Sequence, residues 1–119
     1  MKLSHRQKQI LLGILRDRER LAALTPRYSH GDRALAAERE DIFNAREGLV
    51  RGNPGAWLRT AMTQSQYAMT SRNYQQLWAK GLIVRHAYGL SPDRTAHLSL
   101  TPEGERIARE LLAAEATDG

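Results

Sequence analysis

The residues with most chemistry to offer lie between Thr63 and Ile83, a stretch without a single acid. Arg72 stands in its middle, among Gln64, Ser65, Gln66, Ala68, Met69, Ser71, Asn73, Gln75 and Gln76. On a helix turning about 100° per residue, Thr70, Tyr74 and Leu77 make the inward line, with Tyr67 near the same face. The opposite face then carries Ser65, Ala68, Arg72, Gln75, Gln76 and Ala79, with Met69 and Asn73 on one flank. Exposed protein surfaces usually intersperse charges of both signs. A face of small side chains, amides and one arginine suits close approach to a polyanion. Amides pair with adenine, and an arginine fork pairs with guanine or phosphate. Arg72 is therefore the expected principal reader of bases.

Two further cations follow. Ile83 to Tyr88 is β-prone and contains Arg85. Thr95 to Leu100 alternates strictly, with Ala96, Leu98 and Leu100 against Thr95, His97 and Ser99, the pattern of a half-buried strand. The residues between, Gly89 to Arg94, are those of a turn. A hairpin is expected, with Arg94 at its tip or just past it, and Arg85, Arg94 and Thr95 against phosphate.

Charge is distributed in keeping with this. The chain of 119 residues has a formal charge of +5. Residues 59–97 hold Arg59, Arg72, Lys80, Arg85 and Arg94 against Asp93 alone, whereas residues 98–119 are net acidic. A polyanion is drawn to the first segment and repelled by the second.

Other chemistries find little support. There is no cysteine, hence no disulfide, thiolate metal site or cysteine nucleophile. His5, His30, His86 and His97 are scattered without metal-ligand spacing. Ser65, Ser71 and Ser91 have no recognisable base nearby, and no glycine-rich loop precedes a helix. Glu38, Glu40 and Asp41 are interleaved with Arg33, Arg39 and Arg46, as on a solvated helix face. No catalytic residues, metal or cofactor are expected. With no membrane-length apolar run and no signal-peptide core, the expected location is the cytoplasm.

The positioning elements are mainly helical, and a chain this long makes one domain. Ser4 caps a helix to about Leu24, with Ile10, Leu11, Ile14 and Leu15 on its apolar stripe. Asp32 caps a second helix, 33–50, whose apolar pairs recur at sevens: Leu35/Ala36, Ile42/Phe43, Leu49/Val50. That seam is either ordinary packing within the domain or a dimer contact through Leu35, Ile42, Phe43 and Leu49. Asn53 and Pro54 start a short helix to about Ala61 around Trp57 and Leu58. The helix 65–80 stops at Gly81. Thr101 and Pro102 start the last helix, to about Ala114, with Ile107, Ala108, Leu111 and Leu112 inward and a frayed tail beyond.

Taken together, Ser71-Arg72, Leu77, Lys80-Gly81-Leu82-Ile83, Asp93-Arg94-Thr95 and Leu100-Thr101-Pro102-Glu103-Gly104 resemble the winged helix-turn-helix of MarR-type transcription regulators, over about residues 57–112. The resemblance implies a helix-turn-helix over 54–80, with the helix 65–80 in the major groove and Ser71-Arg72 at the bases. It also implies a wing over 83–100, with Arg94 on the minor groove or backbone. The long helix at 32–50 is extra, between the first helix and the helix-turn-helix. Expected partners are double-stranded DNA and a second copy of the chain. The function expected is sequence-specific binding for transcriptional regulation. A DNA-binding module of replication, partition or a mobile element remains open, as does a winged helix used for protein interaction.

Overall fold

In the computed structural model, residues 2–88 and 91–118 are described, with side chains described outside 87–96 and 118. The first helix, α1 (His5–Ala22), starts at a reciprocal cap. Gln7 N donates to Ser4 Oγ and Ser4 N to Gln7 Oε1, both at 3.2 Å. Ile10 to Leu15 are all buried. The four other helices and the strands at residues 50–51 and 91–100 all pack on α1, so it is the central post of the fold.

Helix α2 (Arg33–Arg46) is capped by Asp32, whose carboxylate accepts from Ala34 N and Leu35 N at 2.8 and 3.1 Å. It ends four residues earlier than 33–50 implies. Gly48, at φ +88°, turns the chain, and Val50–Arg51 form a strand, β1. Leu49 and Val50 are therefore off the helix, and the seam of sevens loses its third pair. Ile42 is 0 % exposed inside its own chain, which leaves it no surface for a partner. Leu35 and Leu49 are half-buried. Phe43 alone of the four keeps substantial exposure, at 43 %, with the Arg39 and Arg46 guanidinium carbons 5.1 and 5.7 Å from its ring centroid.

A short α3 (Pro54–Leu58) stops at Arg59, which is in the left-handed region at φ 52°. Then come α4 (Gln64–Ala79), β2 (Ile83–Tyr88), β3 (Ser91–Leu100) and α5 (Pro102–Asp118). The last helix runs on past Ala114, where the tail was expected to fray, and Glu115 forms an ion pair with Arg16 of α1.

The hairpin expectation holds for β2 and β3, but the sheet has a third strand. Its order is β1-β3-β2, all antiparallel, with Val50 opposite Leu98 and Ile83 opposite Leu100. Strand β3 also begins earlier than expected, since Ser91 already pairs with Tyr88. The next pairing is Thr95 with Ala87, so Pro92, Asp93 and Arg94 form an irregularity in the ladder. Gly89 and Leu90 of the expected turn lie outside the described residues.

One core joins the parts: Ile10, Leu11, Ile14 and Leu15 of α1 meet Val50, Trp57, Tyr74, Leu77, Leu82, Ile83, Leu98 and Ala108. Each fully buried leucine or isoleucine contributes roughly 1.5–3 kcal/mol. The junction at Leu100-Thr101-Pro102-Glu103-Gly104 has a packing reason. Thr101 N donates to Leu82 O at 3.1 Å and Thr101 Oγ1 to Gly81 O at 2.6 Å. A Cβ on Gly104 would lie 1.9 Å from that same Leu82 oxygen, so only glycine lets α5 approach so closely.

Candidate nucleic-acid interface

Thr63 Oγ1 accepts from Gln66 N at 3.2 Å and starts α4; Gly81, at φ +74°, ends it. Thr70, Tyr74 and Leu77 are buried, as their spacing implied. That seats Gln64, Ser65, Ala68, Ser71, Arg72, Gln75 and Gln76 in solvent, and Gln66, Met69 and Asn73 half-buried at one flank. Tyr67 differs from expectation: it is 59 % exposed, although it lies within about 20° of the buried Tyr74 around the helix.

Most of the amides are already engaged. Gln66 Oε1 accepts from Arg6 Nη1 at 3.0 Å, and Gln76 Oε1 from Gln7 Nε2 at 2.7 Å. Asn73 Nδ2 donates back to Met69 O at 2.9 Å, and Arg85 Nη1 donates to Gln75 Oε1 at 2.9 Å. Arg72 makes no hydrogen bond or ion pair among the described residues. It stands at the centre of the exposed face, with α1 on one side through Gln66 and Gln76 and β2 on the other through Gln75. Arg94 and Thr95 belong to β3 by their backbone, just past the expected tip; their side chains lie outside the described residues.

The acids are used elsewhere. Among the described residues the ion pairs join α1 to α5 (Arg18–Glu105 at 2.5 Å, Arg109–Glu19 at 2.8 Å, Arg16–Glu115). Others lie within α5 (Arg106 with Glu103 and Glu110), within α1 (Arg20–Asp17), at Arg27–Glu38, or between β1 and α2 at Arg51–Asp41. None involves α4. Hydrogen bonds from Arg109 and Arg18 hold the Glu19 carboxyl below its ordinary range, and Arg18 does the same for Glu105. These acids stay ionised and paired on α1 and α5. The α4 face is left with unneutralised positive charge.

Burial pushes the Tyr74 hydroxyl well above the usual tyrosine range, so it stays neutral. Among the described residues no group of three His, Asp or Glu could hold a metal. His86 Nε2 pairs with Ser99 Oγ at 2.9 Å and His97 Nε2 lies 3.4 Å from Asn44 Nδ2, contacts within the sheet and to α2. A groove of about 630 Å³ between α1, α3 and α5 includes no residue of α4 in its walls. No helix of the described residues is long and apolar enough to cross a membrane.

The structure adds Arg6 and Lys2, which the sequence reading passed over. Arg6 lies against Gln66 and Met69, and Lys80 Nζ donates to Lys2 O and Gln7 Oε1, both at 3.1 Å. One signal was present: residues 1–16 hold Lys2, Arg6, Lys8 and Arg16 and no acid. No protein-family model matches the chain, and no curated protein or solved structure is significantly similar to it.

Proposed function

We propose that this chain is a winged helix-turn-helix protein, resembling MarR-type regulators, that binds duplex DNA sequence-specifically in the cytoplasm and regulates transcription. The element order supports the fold reading: α1, β1, α3, α4, β2 and β3 follow the winged-helix sequence, with α2 inserted before β1. In this reading α3 and α4 are the helix-turn-helix, and the β2–β3 hairpin is the wing. Helix α4, about 24 Å long, lies in a major groove about 12 Å wide. The chain acts as a homodimer, with the exposed Phe43 of α2 at the contact, and the dimer sets the half-site spacing.

The observation that carries the reading is the exposed, acid-free face of α4 with Arg72 unengaged at its centre. A solvated surface arginine gains little by standing alone among small residues. A reader of guanine gains a great deal, because the small neighbours let the groove floor approach. The test is selection of bound duplexes from a random pool, followed by titration against salt. Enrichment of a motif, with affinity falling as salt rises, supports the reading. Absence of binding at low salt refutes it and favours a protein-interaction role.

A further inference from the structure

We infer that Arg6 and Lys2, at the start of α1 and just before it, form a second phosphate-binding wall along the α1 flank of α4, across the groove from the hairpin. The inference rests on the DNA-binding reading and names a contact that the winged-helix pattern does not supply. Residues 1–16 contain no acid, and the first one, Asp17, is about 16 Å up the helix from Arg6. The fold ties the beginning of this segment, Lys2 to Gln7, to α4 and Lys80, and the stretch from Thr63 to Ile83 is equally free of acid. The charges of Lys2 and Arg6 therefore add to that of Arg72 beside α4.

The geometry is built rather than incidental. Gln7, only 4 % exposed, joins Gln76 and Lys80 through its side chain and Ser4 through its cap. Lys80 also holds the Lys2 carbonyl, so the chain before α1 is tied to the end of α4. Arg6 uses Nη1 on Gln66 at 3.0 Å and on Met69 Sδ at 3.6 Å. Its Nη2 and Nε make no hydrogen bond among the described residues. A guanidinium held by one nitrogen and open at the others is a prearranged phosphate donor. The Lys2 side chain makes no hydrogen bond or ion pair among the described residues.

The experiment compares the full-length chain with Arg6→Gln, Lys2→Gln and Arg72→Ala by anisotropy on a selected duplex and on a scrambled one, across salt. Arg6→Gln and Lys2→Gln are each expected to lower the log–log salt slope by about 0.9, equally on both duplexes, with sequence preference kept. Unchanged slopes for both variants, with wild type binding and Arg72→Ala losing preference, overturn this contact and leave the DNA-binding reading standing. If wild type itself binds without salt dependence, both fall. Should Arg6→Gln also shift the unfolding midpoint, Lys2→Gln decides, because its side chain supports nothing in the fold.

Discussion

Replacing Gly13 by alanine sets two physical effects of opposite sign against each other. Gly13 lies inside α1, where alanine is better than glycine by about 1 kcal/mol on local propensity. Its Cβ, however, would sit 2.3 Å from Trp57 Cγ and 2.5 Å from Cδ1 and Cδ2. Carbon atoms pack at roughly 3.5–4.0 Å, so the ring or the helix must yield by about 1 Å or more. Trp57 is 9 % exposed and its Nε1 donates to Asp17 Oδ2 at 2.9 Å, so the ring is pinned at both ends. Expelling it forfeits the burial of a large aromatic, roughly 4–6 kcal/mol as an upper bound. Shifting α1 against α3 is cheaper, at about 1–3 kcal/mol, and the depth of overlap points to the upper end. After the propensity gain, a net destabilisation of about 2 kcal/mol is expected in urea unfolding followed by far-UV circular dichroism. In a Trp57→Leu background the same substitution should become neutral or stabilising, a coupling of about 1–3 kcal/mol. A Gly13→Ala protein as stable as wild type, or more so, would refute the argument that α3 is seated by this approach.

Arg72→Ala should cost about 1–3 kcal/mol of discrimination at one base pair, read by competition between duplexes; loss spread evenly over all sequences would mean that it touches only phosphate. Arg94→Ala should weaken binding to every duplex and reduce the salt slope by about 0.9, and an effect limited to one base position would count against a wing contact. Ile42→Ala should cost about 2–5 kcal/mol in unfolding, with sedimentation showing no change of oligomer, since Ile42 is spent inside its own chain. For Glu105, whose folded pKa lies below its ordinary 4.5, the stabilisation is present above that value and lost as pH falls through the folded pKa. Glu105→Gln should therefore lose less stability than wild type between about pH 6 and pH 3 at low salt; parallel losses would show that the Arg18 pair contributes nothing.

The elements that carry local punctuation were legible from the chain alone. Ser4, Asp32 and Thr63 cap helices by hydrogen bonds to residues two or three positions on, and Gly81 ends one by its freedom at positive φ. The inward line of Thr70, Tyr74 and Leu77 follows from helical period, and with it the exposed place of Arg72. Alternation around Leu98 marked a strand for the same kind of reason, a repeat within a few residues. What only the tertiary structure decided involves partners far apart in sequence. Two residues, Val50 and Arg51, have no period to read, and they become a strand because Leu98 and His97 are there to pair with them. Ile42 became buried and not seam because α2 packs against α1 and β1 of its own chain. Arg6 reached the Gln66–Met69 flank of α4 because Gln7 is buried against Gln76 and Lys80. Short-range hydrogen bonding and periodicity are properties of a segment. Which charged surface a segment ends up beside is a property of the packed whole, and in this protein that packing ties Lys2 to Gln7, the beginning of the chain's acid-free start, to the flank of α4.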